Sequence, residues 1–130
     1  MKVFLVDDDK LFVFLTKKTI LSTRLATGIT EFNDGENAIE FIKEHAGKPD
    51  ELPDVIFLDL SMPIMDGWTF LKEFEAVKDL MSKKIIIYVF TSSISPHDLE
   101  RAKGIPHVAD FLIKPLERDQ FVQLLSDKVA

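Results

Sequence analysis

The arrangement of apolar residues along the chain is the feature that most limits its possible folds. Short apolar runs of strand-like length alternate with longer segments in which apolar residues recur at helical spacing. The predicted strands are Val3–Val6, Ile29–Phe32, a central one that ends at Asp59, Lys84–Phe90 and Val108–Ile113. The predicted helices are Lys10–Leu25, Glu36–Ala46, one that follows Gly67 and runs to about Leu80, one that starts at Ser95 and stops at Gly104, and Glu117–Lys128. A strand followed by a helix, repeated five times, predicts an α/β fold with a parallel sheet and helices on both faces.

Polar residues stand where four of these strands end. Asp7 and Asp8 follow the first strand and Asp59 ends the central one, while Thr91 and Lys114 follow the last two. The carboxyl ends of parallel strands share one edge of the sheet, which is where open α/β sheets bind ligands. Each residue alone has an ordinary explanation, since a loop Asp commonly caps a turn or a helix. Their coincidence at separate strand ends favours a binding site on this rim.

Carboxylates that converge in one pocket repel one another and raise each other's pKa. A hard divalent cation removes that penalty, and a site made of oxygen ligands suits Mg²⁺. With a metal present, a carboxylate can attack phosphorus, and Lys114 and Thr91 would help to neutralise the transferred group. A zinc site is not expected, because the sequence has no cysteine and its histidines, His45, His97 and His107, fall on helices or loops away from the strand ends. We expect these histidines to be surface residues.

Composition excludes several classes of function. At 130 residues the chain has the size of a single domain, which we expect to span residues 1–130 with no output domain. A net charge of −6 argues against binding to nucleic acid or to an anionic membrane surface. The apolar opening of the sequence runs straight into aspartates, which is unlike a signal peptide or a membrane span. The absence of cysteine fits a reducing compartment, and we expect a cytoplasmic location.

An ordered set of short motifs resembles the receiver domain of two-component response regulators over essentially the whole chain. These motifs are Val6-Asp7-Asp8, Asp59 with Met62-Pro63 and Asp66-Gly67 behind it, Thr91, and Lys114-Pro115. Any one of them alone would be weak, whereas the ordered set is specific. The resemblance implies a flavodoxin-like, five-stranded sheet of order 2-1-3-4-5, in a stand-alone regulator similar to those of chemotaxis.

The resemblance also implies a role for each matching residue. Asp59 would be the phosphoacceptor, with Asp8 and Asp59 ligating Mg²⁺ directly, Asp7 acting largely through water and the carbonyl of Ser61 completing the set; Mn²⁺ would be able to substitute. Lys114 would contact the phosphoryl group, with its bond to Pro115 in the cis form. Residues expected at the phosphoryl group or in the switch are Thr91, Ser92 and Phe111.

The function implied is that of a signalling module rather than an enzyme in its own right. A histidine kinase or a histidine phosphotransfer domain would supply the phosphoryl group. Thr91 would then move toward the phosphate and Phe111 would follow it inward, which changes the surface around the fourth helix and the fourth and fifth strands. Phe111 stands where a tyrosine is more common, and Ser61 and Ser92 place small polar groups beside the phosphoacceptor.

Three other interpretations share part of the pattern. A flavodoxin-like redox protein would need a loop rich in Ser, Thr and Gly after the first strand, where this chain has aspartates. A phosphatase of the haloacid dehalogenase type would need a second carboxylate two residues after Asp59, at the position of Ser61. A receiver-like protein that binds partners without phosphorylation would have lost one of the site residues, and none is missing.

The first helix carries more apolar residues than one buried stripe requires. Leu11 and Phe14 share the helical phase of Lys10, Lys17 and Lys18, so we expect them to face outward. The alternative is that they pack beneath a neighbouring loop. Our hypothesis is that Leu11 and Phe14, with Pro115, belong to the docking surface for the phosphodonor.

Overall fold

The chain folds as a parallel sheet between two layers of helices, as the computed structural model shows for residues 1–62, 64–92 and 95–129, with side chains up to Ser126. The strands are β1 (Lys2–Val6), β2 (Gly28–Phe32), β3 (Val55–Asp59), β4 (Ile86–Thr91) and β5 (Val108–Ile113). The helices are α1 (Lys10–Ser22), α2 (Gly35–Glu44), α3 (Gly67–Val77), α4 (Pro96–Lys103) and α5 (Arg118–Val129), with a 3₁₀ turn at Lys78–Leu80.

The strand order is β2-β1-β3-β4-β5, with every neighbouring pair parallel. The predicted fold class and strand order are therefore confirmed. The register aligns the strand ends, because Val6 pairs with Leu58, Asp59 with Phe90, and Thr91 with Ile113. This alignment brings the residues that end β1, β3, β4 and β5 to one rim.

Alternating side chains divide the core between the two faces of the sheet. On one face, strand residues such as Ile56 and Leu58 pack with Ile39 of α2 and Phe70 of α3. On the other face, residues such as Phe57 pack with α1 and α5. β3 is buried along its whole length, as expected for a central parallel strand covered on both sides.

Side-chain caps fix where the helices begin. Asp9 accepts a hydrogen bond from the N–H of Phe12 at 3.0 Å, and Asp66 accepts one from Thr69 at 2.8 Å. Ser95 caps α4 in the same way, and Pro96 is its first residue, which confirms the predicted helix start. Among the described residues, no helix combines the length and the apolar character needed to cross a bilayer.

Three predictions about local structure were wrong. α1 ends at Ser22 rather than Leu25, because Arg24 adopts a left-handed φ of 61° that stops the helix. β4 begins at Ile86 rather than Lys84. His107 is not a surface residue: its side chain is 9% exposed and its ring lies 5.4 Å from that of Phe74.

Candidate functional site

Three carboxylates meet at the carboxyl ends of β1 and β3. Asp7 and Asp8 directly follow β1, and the pairing of Val6 with Leu58 sets Asp7 beside Asp59, the last residue of β3. One oxygen from each of the three carboxylates lies within 4.8 Å of the other two. Asp7 and Asp59 are 7% and 6% exposed, whereas Asp8 is exposed. The sequence therefore brings together two buried acids and one that faces solvent.

Lys114 supplies the positive charge of the site. Its backbone N–H donates to the carbonyl of Thr91 at 2.7 Å, which continues the pairing of β4 and β5 by one residue. Its Nζ lies 2.6 Å from Oδ2 of Asp7 and 3.5 Å from Oδ1 of Asp59. The peptide bond that joins Lys114 to Pro115 is cis, as the resemblance implied.

The electrostatic surroundings of Asp59 make its ionised form less favourable than that of an exposed carboxyl group. Burial and the neighbouring carboxylate of Asp7 raise the pKa of Asp59 to about 6, against the opposing influence of Lys114 and of a backbone hydrogen bond from Ser61. The ordinary pKa of an Asp carboxyl group is 3.8. The site is thus short of positive charge, and a bound cation would stabilise the ionised form that a nucleophile requires.

The loop after β3 approaches Asp59 so closely that it needs a glycine. A Cβ on Gly67 would lie 2.5 Å from the carbonyl oxygen of Asp59 and 2.8 Å from Cα of Leu60. The N–H of Gly67 donates to the carbonyl of Leu60 at 3.0 Å. The Asp66-Gly67 motif therefore has two physical roles: Asp66 caps α3, and Gly67 lets that helix start against the end of β3.

The acidic cluster and Lys114 line a cleft of about 870 Å³. Seven of the predicted site residues line it: Asp7, Asp8, Asp59, Ser61, Thr91, Ser92 and Lys114. Thr91 is buried, whereas Ser61 and Ser92 are exposed. Trp68 and Asp98 also line the cleft and were not identified from the sequence. The position of Trp68 directly after Gly67, in the first turn of α3, was the signal that could have identified it.

The other predicted residues lie away from the cleft lining. Phe111 is half-buried in β5 and packs against the core on the α2 and α3 face. Leu11 and Phe14 are 68% and 51% exposed on α1, which confirms that they face outward, and Pro115 is exposed as well. Pro63 lies outside the described residues.

The donor set of the cleft fits a hard divalent cation. Its clustered ligands are carboxylate oxygens, which Mg²⁺ and Mn²⁺ prefer over nitrogen or sulfur. His45, His97 and His107 do not line this cleft. A cation held by these oxygens would also offset the repulsion between Asp7 and Asp59.

Comparison with known proteins identifies the family. The family model described as the response regulator receiver domain matches residues 3–126. The chemotaxis protein CheY of Bacillus subtilis is 29% identical over 122 residues, which cover 94% of this chain and 92% of CheY. A two-component response regulator from Cytophaga hutchinsonii superposes with a TM-score of 0.85 at 29% identity, covering 98% of this chain and 95% of that one.

A phosphorylated relative has the same fold. The structure of the phosphorylated cyanobacterial phytochrome response regulator RcpA superposes with a TM-score of 0.75 at 27% identity, covering 97% of this chain and 89% of RcpA. The matched motifs, the strand order and the acidic cleft agree with these comparisons. The chain belongs to the receiver-domain family of response regulators.

Proposed function

We propose that this receiver accepts a phosphoryl group on Asp59, in a reaction that depends on Mg²⁺. The observation that carries the proposal is the meeting of Asp7, Asp8, Asp59 and Lys114 in one cleft. Phosphoryl transfer needs a nucleophile and positive charge around the transferred oxygens. In this cleft Asp59 would be the nucleophile, and Lys114 together with a bound cation would supply the positive charge. The phosphorylated form of RcpA gives further support, because it shows that a protein of this fold carries the modification.

The chemical step is a displacement at phosphorus. A carboxylate oxygen of Asp59 forms a bond to the phosphorus of a phosphohistidine while the P–N bond breaks, and the departing imidazole nitrogen keeps the electron pair of that bond. Mg²⁺, held by Asp8 and Asp59 with Asp7 acting through water and the Ser61 carbonyl as a further ligand, would supply charge neutralisation. Mn²⁺, which has the same preference for oxygen ligands, would substitute.

The cleft provides partners for the remaining phosphoryl oxygens. Lys114 already lies 3.5 Å from Asp59 and would bind one of these oxygens as a charged donor. Thr91 ends β4 at the rim, where its hydroxyl would donate to another oxygen. Ser92, exposed in the same cleft, would contribute its backbone N–H.

The phosphorylated state would be transmitted through β4 and β5. Thr91 pairs with Ile113 in the sheet, and Phe111 lies on the same strand as Ile113. A shift of Thr91 toward the phosphoryl group would free space that Phe111 fills, which changes the surface formed by α4, β4 and β5. This surface would bind a downstream protein target.

The phosphodonor would be a histidine kinase or a histidine phosphotransfer domain. Leu11 and Phe14 present apolar surface on α1, which begins immediately after the acidic cluster. Together with Pro115, they would form a docking surface that brings the donor histidine to Asp59. In this role the chain acts as a cytoplasmic signalling module that carries the phosphoryl group on its own carboxylate.

Intact-mass measurement after exposure to a small phosphodonor tests the proposal. With phosphoramidate and Mg²⁺, the parent chain is expected to gain the mass of one phosphoryl group, and a chelator should prevent the gain. The variant Asp59→Asn should gain nothing under either condition. A mass gain that survives this substitution would remove Asp59 from its assigned role.

A further inference from the structure

An aromatic ring lies against the ammonium group of Lys114. The Nζ atom is 4.3 Å from the centroid of the Phe12 ring, within the range of a cation–π contact. Phe12 belongs to the first turn of α1, and its N–H donates to the capping carboxylate of Asp9 at 3.0 Å. Its ring meets the ring of Phe90 edge to face, with the centroids 5.2 Å apart. The cap fixes the backbone at Phe12, and the contact with Phe90 packs its ring.

The ammonium group is therefore held from two directions. The carboxylates of Asp7 and Asp59 attract it toward the cleft, and the face of Phe12 contacts it as well. A lysine side chain has many rotamers, so an ammonium that must meet a transferred oxygen gains from a partner that limits them. The side chain of Lys114 is only 13% exposed, which also strengthens an electrostatic contact of this kind.

The two kinds of contact respond differently to a bound cation. The closest partner of Lys114 is Asp7, at 2.6 Å, and a divalent cation shared by the carboxylates would weaken this attraction by competing for the same negative charge. The ring of Phe12 carries no net charge that a metal could neutralise, so its contact with Lys114 remains. Phe12 would then keep the ammonium close to Asp59 when phosphoryl transfer takes place.

We propose that Phe12 is a positioning residue for phosphoryl transfer, which holds the Lys114 ammonium beside Asp59 through the face of its ring. The inference rests on the proposed function of Asp59 and Lys114. The simpler alternative is that Phe12 only fills the core between α1 and Phe90. A filler works through volume, whereas a positioning residue works through the electrostatics of its ring, and this difference can be measured.

Fluorinated phenylalanines separate the two roles, because fluorine withdraws charge from the ring face while its volume changes little. The full chain would carry 4-fluoro-, 3,5-difluoro- and 3,4,5-trifluorophenylalanine at position 12. The probe is beryllofluoride with Mg²⁺, a mimic of the bound phosphoryl group, and binding is followed by the fluorescence of Trp68, which lines the cleft. Phe121, in the same core at 6.3 Å from Phe90, receives the same analogues as a matched control.

We expect the dissociation constant for beryllofluoride to rise with each step of fluorination at Phe12, by about threefold to tenfold over the series. The Phe121 series should change it little, and Phe12→Tyr should retain the affinity that Phe12→Leu loses. A flat series at Phe12 in a protein that binds beryllofluoride would overturn the proposal.

A second readout does not depend on phosphoryl chemistry. The Hε protons of Lys114 should show an upfield ring-current shift in NMR spectra of the parent, absent in Phe12→Leu and retained when Mg²⁺ is added. Loss of this shift on addition of Mg²⁺ would also overturn the proposal. If the shift is retained but phosphoramidate adds no mass to the parent chain, the contact stands and the proposed function of Asp59 fails.

Discussion

The Nζ atom of Lys114 lies 2.6 Å from Oδ2 of Asp7, although the two residues are 107 positions apart in the sequence. The distance to the nearest oxygen of Asp59 is longer, at 3.5 Å. Lys114 therefore acts as a counter-ion inside the acidic cluster. A divalent cation and this ammonium group compete for the same negative charge.

This competition predicts that Lys114→Gln binds Mg²⁺ more tightly than the parent, by about fivefold or more. The reason is that the substitution removes a positive charge from direct contact with Asp7. Titration of Mg²⁺ against the fluorescence of Trp68, the single tryptophan of the chain, measures the affinity. Lys48→Gln, which removes the same charge from an exposed loop position, should bind Mg²⁺ like the parent. Equal affinities for the parent and Lys114→Gln would contradict the competition.

The sequence predicted the sheet and the residues on its rim because both follow from local patterns. A run such as Val55–Leu58 is apolar throughout, which indicates burial on both faces, and the parallel topology then determines where Asp59 emerges. The resemblance added the strand order and the cis bond before Pro115. None of these predictions depended on how each helix is rotated about its own axis against the sheet.

What the sequence did not predict depends on that rotation. The outward position of Leu11 followed from its helical phase, whereas the contact of its neighbour Phe12 with Lys114 did not. His107 follows α4 in a segment without a clear period, so its burial against Phe74 of α3 could not be inferred. Tertiary contacts of this kind decide the neighbours of a side chain, and they leave little trace in periodicity.

Gly67→Ala should both destabilise the protein and slow its phosphorylation. The added Cβ would lie 2.5 Å from the carbonyl oxygen of Asp59 and 2.8 Å from Cα of Leu60, so the backbone that carries the phosphoacceptor must move. Overpacking of this kind costs about 1–3 kcal/mol, which chemical denaturation would detect. Gly47→Ala is the matched control, because no atom lies within 4 Å of the Cβ it would add. A Gly67→Ala protein as stable and as reactive as the parent would refute the close approach.

The buried imidazole of His107 should make the stability of the protein depend on pH. Burial lowers the pKa of its imidazole from the ordinary value of 6.5, although the carboxylate of Glu75 opposes the shift. Nδ1 lies 2.8 Å from Oε2 of Glu75, which is close enough for an ion pair when the imidazole is protonated. The unfolded chain then takes up a proton more readily than the folded one, so stability is full above pH 6.5 and falls as the pH drops below that value.

Denaturation curves measured between about pH 5 and pH 8 test this dependence. The parent should lose stability relative to His107→Gln as the pH falls through this range, because only the parent has a buried imidazole to protonate. The comparison of the two proteins removes the contribution of the other titrating groups. A constant difference between them across the range would rule out the role assigned to His107.

The exposed residues of α1 predict a selective defect in phosphotransfer. Replacing Leu11 and Phe14 together with Ala should slow transfer from the cognate histidine kinase or phosphotransfer domain, because apolar docking surface is lost. Labelling by phosphoramidate should be unchanged, since a small donor needs no docking surface. Rates measured by intact mass with each donor test the prediction, and equal slowing with both donors would count against docking on α1.

Borohydride trapping shows whether the acidic cleft directs phosphorylation to Asp59. Borohydride reduces an aspartyl phosphate to homoserine, so peptide mass spectrometry of the trapped protein locates the modified residue. After treatment with phosphoramidate and Mg²⁺, we expect homoserine at position 59, and we expect none when a chelator replaces the metal. Homoserine at another aspartate, or a mass gain that leaves position 59 unreduced, would contradict the assignment of Asp59 as the phosphoacceptor.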